Sequence, residues 1–208
     1  MKLMDMPVNE FIRILGSNAP APGGGSASAL AAAQGISLTK MVAELTIGKK
    51  KYMKFEAEMK DLQEKASALQ DELLVAIDED TAAFNQVSVV FELPKSNEEE
   101  KKARDRAMQK ALQGAAITPF KLMEKIVVAL ELTEKAVGKS NTNAASDLGV
   151  AALNLKAALQ GAWLNVSINL SSIEDDAFVL QYKKDGEKLL TQGSNLADDI
   201  YQKIIEMI

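Results

Sequence analysis

Along residues 62–91, apolar and small side chains recur in steps of three and four: Leu62, Ala66, Leu69, Leu73, Ala76, then Phe84, Val87 and Phe91. That spacing is one face of an α-helix. The pattern extends back to about Tyr52 and is ended by Leu93-Pro94, because proline cannot continue a helix and restrains the residue before it. An element of that length, on the order of 60 Å, needs partners along its whole course, from the same chain or from a second subunit. One position breaks the seam. Where the register calls for an apolar side chain, one turn after Ala76 and one turn before Phe84, the residue is Asp80.

The rest of the chain repeats the helical theme. Val8, Phe11, Ile12 and Leu15 predict a short amphipathic helix stopped by Gly16, and a loop follows in which Pro20, Pro22 and Gly23-Gly24-Gly25 forbid regular structure. A second helix is expected over 26–46, with small Ala27, Ala31 and Gly35 at four-residue spacing, and then a basic turn, Gly48-Lys49-Lys50-Lys51. Ser96-Asn97-Glu98-Glu99 has capping-box spacing and starts another helix, which Thr118-Pro119 either kinks or restarts before Gly138 closes it. A fifth long segment covers 142–170, and Ser172-Ile173-Glu174-Asp175 caps a last helix reaching Ile208. There is no internal repeat and no convincing strand. The expectation is an all-α, long-helix bundle forming one domain over residues 1–208, a length that can bury a sizeable core.

Composition narrows the chemistry. With no cysteine and no histidine, thiolate nucleophiles, cysteine-ligated zinc and the usual neutral-pH base are all absent, so proton transfer falls to Asp, Glu, Lys or Tyr. A net charge of −5 argues against nucleic acid as a partner, which requires a basic face. No stretch reaches the roughly 18 to 20 apolar residues of a membrane span. Residues 1–15 carry Asp5 and Glu10 and do not resemble a secretory signal, so a cytoplasmic protein is the expectation.

Against that background Asp80 stands out. Burial raises an Asp pKa and a nearby cation lowers it, so a carboxylate on a buried stripe is tunable toward proton transfer; the structural alternative is a cap or polar contact to a facing helix. Asp78 and Glu79 lie off the stripe and read as surface charges. Gly23, Gly24, Gly25 and Ser26 lead into a helix whose first N–H groups suit a carboxylate or phosphate, or form a plain turn into a tightly packed helix. Lys49, Lys50 and Lys51 make a local cationic site, or a solvated run. Asn141, Asn143 and Asp147 sit in a segment, 140–147, with more hydrogen-bonding groups than an N-cap uses. Asn165 and Asn169, one turn apart beside Ala158 and Gly161, serve either as glue between helices or as ligand contacts, and Trp163 reads as core or interface.

Taken in order, several of these motifs resemble the cyclodeaminase/cyclohydrolase family, which includes the C-terminal half of formiminotransferase-cyclodeaminase and small stand-alone bacterial enzymes. The carriers are Ala19-Pro20-Ala21-Pro22-Gly23-Gly24-Gly25-Ser26, Leu45-Thr46-Ile47-Gly48-Lys49-Lys50-Lys51-Tyr52, Asp80-Thr81-Ala82-Ala83-Phe84 with Leu93-Pro94-Lys95, Asn141 through Asp147, and Asn165 through Leu170. The resemblance covers nearly the whole chain. It implies an all-helical homodimer acting on a tetrahydrofolate substrate without metal or redox cofactor, with Asp80 as the catalytic aspartate. It further implies conversion of 5-formiminotetrahydrofolate to 5,10-methenyltetrahydrofolate with release of ammonia, or hydrolysis of the methenyl bridge to 10-formyltetrahydrofolate. In this reading the glycine loop and Lys49 or Lys50 hold anionic parts of the folate, and Asn141, Asn143 and Asp147 orient the pterin or the departing nitrogen. A non-enzymatic helical scaffold, with Asp80 fixing helix register, is the remaining alternative.

Overall fold

The computed structural model describes residues 2–208, which leaves Met1 outside, and every regular element among the described residues is helical. Six α-helices follow one another: α1 Val8–Leu15, α2 Gly24–Glu44, α3 Glu56–Val90, α4 Glu98–Ala136, α5 Ala145–Leu170 and α6 Asp176–Met207. Short 3-10 turns occupy Leu3–Asp5, Lys50–Phe55 and Thr142–Ala144. Among the described residues no helix is long and apolar enough to cross a membrane.

Helices α2, α3, α4 and α5 form the core bundle, with α2 against α3 and α5, α4 against α3 and α5, and α6 laid over α4 and α5. Tertiary contacts fix the directions. Ser26 meets Asp80 and Ser37 meets Gln70, so α2 and α3 are antiparallel; Gly24 lies by Asn165, and Leu45 by Asn141, so α2 and α5 are antiparallel too. Small residues let α2 and α5 approach closely. A methyl on Gly35 would overlap Leu155, and one on Gly161 would overlap the Ser28 hydroxyl. Inside, Thr39 of α2 and Thr133 of α4 share a buried hydrogen bond of 2.7 Å in a core otherwise filled by Ala, Leu, Ile and Met.

Several local expectations are corrected. The third helix starts at Glu56 rather than near Tyr52, because 50–55 is a 3-10 segment whose Tyr52 hydroxyl is anchored by the Thr142 N–H at 3.0 Å. The capping box is shifted by one residue: Asn97 accepts from the Glu100 N–H, and Glu100 reaches back to the Ser96 N–H. Asp78 is not a free surface charge, since it accepts from the N–H groups of Leu3 and Met4 and ties the N-terminal turn to α3. Beyond Asp80 the seam positions Phe84 and Phe91 are exposed and Val87 is half-buried, while the adjacent Val90 is buried.

Pro119 does not restart its helix, and α4 is continuous from Glu98 to Ala136. The physical cost is a lost hydrogen bond, because proline has no N–H for the carbonyl four residues earlier. That carbonyl, Ala115 O, instead accepts from the Asn169 side-chain amide at 3.1 Å. Asn169 therefore repairs α4 and in doing so fixes the C-terminal end of α5 beside it. Asn169→Leu should cost about 1–3 kcal/mol, the usual penalty of an unsatisfied buried acceptor, in urea unfolding. The loss should shrink in a Pro119→Ala background, where the backbone N–H returns; equal losses in both backgrounds would contradict the repair.

Candidate functional site

The N-terminus of α2 has no side-chain cap, because Gly23 occupies the cap position. One of its free N–H groups, that of Ser26, is met from outside by Asp80. Oδ2 of Asp80 accepts the Ser26 N–H at 2.9 Å and the Ser26 hydroxyl at 3.2 Å, while that hydroxyl also lies 2.8 Å from the Ile77 carbonyl. A side chain at Gly25 would overlap the carboxylate, so the approach of α3 to α2 depends on glycine there. The structural alternative read from the sequence, Asp80 as a cap on a facing helix, is thus realised. It uses only one carboxylate oxygen. Oδ1 accepts no hydrogen bond among the described residues, and burial raises the pKa of the group against the lowering effect of the two Ser26 hydrogen bonds.

Asp80 faces a cavity of about 370 Å³ walled by the Gly23-Gly24-Gly25 loop, Thr81 and Phe84 of α3, and Asn165, Ile168 and Asn169 of α5. The cis peptide Ala21-Pro22 lies in the same loop. The amide nitrogens of both asparagines are already engaged, Asn165 with Gly161 O at 2.8 Å and Asn169 with Asn165 O and Ala115 O. This fixes the orientation of both amides. Neither Oδ1 accepts a hydrogen bond among the described residues, so the wall offers free acceptors beside Asp80. Both residues thus line the cavity while their amide nitrogens are engaged within the fold. Phe84, expected on the buried seam, is instead exposed and lines the cavity. Its signal in the sequence was its place one turn past the polar break.

A second cleft of about 290 Å³, between α3 and α4, also touches Asp80, together with Thr118, Lys121 and Lys125. It adjoins an open trough of about 690 Å³ left by small residues such as Ala82, Ala107, Ala111 and Gly114. Asp80 is therefore part of a thin wall between two clefts. The trough is the larger; on the α2/α5 side the asparagine amides are fixed in direction by their hydrogen bonds, as Thr118 is by Gly114 O on the other.

The other sequence candidates gather elsewhere. Lys49, Lys50, Lys51, Tyr52, Asn141, Thr142 and Asn143 line a cavity of about 400 Å³ at the opposite end of α2. Asn141 is held by Thr46 Oγ1 at 2.8 Å and Leu45 O at 3.2 Å. Hydrogen bonds from Thr142, with a smaller contribution from Lys51, lower the Tyr52 pKa to about 8. Asp147 is half-buried one turn into α5, outside that lining. The 21 residues of α2 separate the two groups by about 30 Å, more than a pterin spans. One chain therefore brings Gly23, Gly24, Gly25 and Ser26 to Asp80, but not Lys49, Lys50, Asn141, Asn143 or Asp147.

Known proteins share this chain's sequence and shape over nearly its full extent. A methenyltetrahydrofolate cyclohydrolase of Methylorubrum extorquens is 39% identical over 197 residues, covering 95% of each chain. The formimidoyltransferase-cyclodeaminase of Sus scrofa is 33% identical over 94% of this chain, which spans only 36% of that longer protein. The crystal structure of a formiminotetrahydrofolate cyclodeaminase from Thermotoga maritima superposes with a TM-score of 0.82 at 29% identity, covering 99% of this chain and 97% of that one. A family model described as formiminotransferase-cyclodeaminase matches residues 7–188, and the chain belongs to that family of folate one-carbon enzymes.

Proposed function

We propose that the protein converts 5-formiminotetrahydrofolate to 5,10-methenyltetrahydrofolate with release of ammonia, and that Asp80 carries the protons. The observation that carries this reading is the divided carboxylate, with one oxygen held by Ser26 and the other free on a cavity of pterin size. In the reaction N10 attacks the formimino carbon, a new C–N10 bond forms, and the bond from that carbon to the departing nitrogen breaks. The formimino group enters as its protonated amidinium, and Asp80 takes the proton from N10 and passes it to the leaving nitrogen, which departs as ammonia, so one carboxyl group serves as base and then acid. Proton transfer is all that is asked of it, and the proposal assigns no metal or redox cofactor. The free Oδ1 atoms of Asn165 and Asn169 accept from the pterin N–H groups, and Phe84 covers a ring face.

A second reading is favoured by the relative that matches end to end, named a methenyltetrahydrofolate cyclohydrolase. There water attacks the methenyl carbon, Asp80 takes its proton, and the C–N5 bond opens to give 10-formyltetrahydrofolate. Two assays separate the readings, because methenyltetrahydrofolate absorbs in the near ultraviolet. Its appearance from the formimino substrate with ammonia supports the first, and its enzyme-dependent loss supports the second. Inertness in both would leave only the helical scaffold.

Asp80→Asn keeps the shape and the Ser26 contacts, so turnover should fall at least about a hundredfold with substrate binding retained. Because the folded pKa is raised, the native state holds this proton more tightly than the unfolded chain does. Ionisation therefore costs stability as pH rises from the ordinary Asp value through the raised one, and Asp80→Asn should melt no lower than the parent at neutral pH. A marked drop in Tm would contradict this.

Ser26→Ala removes one of the two hydrogen bonds that lower the Asp80 pKa. The acidic limb of kcat/KM, where the base becomes protonated, should move to higher pH; an unmoved limb would show that the limb is not that of Asp80. At the other end, Tyr52 should ionise near pH 8, visible as tyrosinate absorbance and lost in Tyr52→Phe. The new negative charge beside Lys51 should raise the KM for an anionic substrate above that pH in the parent but not in Tyr52→Phe.

A further inference from the structure

Asp80 has two sides. On one it faces the cavity between α2 and α5 that the folate reading gives to the pterin, and on the other it lines the cleft of about 290 Å³ between α3 and α4. Glu79, Thr118 and Lys121 line that cleft and also the open trough of about 690 Å³, so trough, cleft and carboxylate adjoin in series from solvent inward. Ala83, three residues after Asp80, likewise borders both the trough and the pterin cavity. The partition between the two sides is therefore little more than a carboxylate and a methyl group.

The trough is kept open by what the helices omit. Gly114 stands near the middle of α4, where glycine is the poorest helix former after proline. A Cβ added there would meet no atom within 4 Å, so no close approach of another helix requires the glycine. Ala82, Ala107 and Ala111 add only methyl groups to the same walls. Where trough and cleft join, Thr118, Glu79 and Lys121 supply hydrogen-bonding groups. Thr118 donates to the Gly114 carbonyl at 3.1 Å and keeps its lone pairs for an incoming N–H or O–H.

We propose that the α3/α4 cleft is the port for the small reactant, ammonia leaving in the cyclodeaminase direction or water arriving in the cyclohydrolase one, while the pterin stays in the α2/α5 cavity. A pterin that fills a cavity of about 370 Å³ closes that side of Asp80. The bond to the departing nitrogen breaks at the carboxyl group that protonates it, so ammonia forms with the pterin in front of it and the cleft behind. Held there, it would attack the methenyl carbon and reverse the step. An exit that does not wait for the pterin favours the forward reaction. This deepens the folate reading and rests on it for the identity of the molecule carried.

The chain has no cysteine, so Thr118→Cys offers a single thiol at the junction, which methanethiosulfonates of increasing size can cap. Relative to the uncapped variant, a benzyl cap should lower kcat about tenfold with the KM for the folate kept, a methyl cap should do less, and reductant should restore the rate. Recovery in the same molecules separates the effect from misfolding. In the cyclodeaminase direction the benzyl-capped protein should show a burst of methenyl absorbance that the uncapped form lacks, because departure of ammonia and not chemistry is slowed. In the cyclohydrolase direction the first turnover itself should slow, because water must arrive before it. A kcat indifferent to the cap, or a capped cyclodeaminase slowed without a burst, would overturn the port. So would a KM that rises with kcat kept, which would put folate itself in the cleft. If the parent is inert toward both folates, the folate reading fails and the Asp80 carboxyl decides the port alone. The benzyl cap should then move its titration upward by excluding water from the cleft side, and an unmoved titration would overturn the proposal.

Discussion

One contact organises this molecule: the carboxylate of Asp80 on the uncapped start of α2. A helix start leaves N–H groups without partners, and Gly23 supplies no side chain to meet them. Asp80 meets one of them, the Ser26 N–H, from the next helix, and it can only because Gly25 has no Cβ to stand in the way. The contact fixes the register of α2 against α3. It also draws a carboxylate out of water, and burial raises its pKa, so the feature that orders the fold is also the one on which the proposed proton transfer rests.

The cavity wall is built with the same economy of groups. Pro119 removes a backbone donor from α4, Asn169 replaces it, and that repair holds in place an amide on a residue that lines the cavity. Asn165 behaves alike, with its nitrogen on the Gly161 carbonyl. In both residues the structural bond fixes the direction of the polar atom left free. Such preorganisation is what a site needs if its dipoles are not to reorient during reaction.

Much of this was legible in the residues. Asp80 announced itself as the break in a three-four pattern, and the helices over 24–44, 98–136 and 145–170 lie within a few residues of their expected spans. What escaped has physical reasons. Asp78 looked like a surface charge because its partners, the N–H groups of Leu3 and Met4, belong to a turn seventy-odd residues away. Pro119 looked like a break because the amide that compensates it lies on another helix. The shifted capping box turned on one residue, since Ser96 and Asn97 are both competent caps. The separation of the lysine motif from Asp80 was available in principle, because two loops joined by a straight helix of about twenty residues lie at opposite ends of it.

The account stands on the state of a single carboxyl group, and that state is observable directly. Carbon-detected NMR of the protein with labelled aspartate follows the Asp80 carboxyl through a pH titration, assigned by its absence in Asp80→Asn. The predicted result is a midpoint above the ordinary Asp range and displaced further upward in Ser26→Ala. A midpoint at or below the ordinary value, unmoved by loss of the Ser26 hydroxyl, would mean that the group is solvated and free of α2, and the mechanism built on it would be wrong.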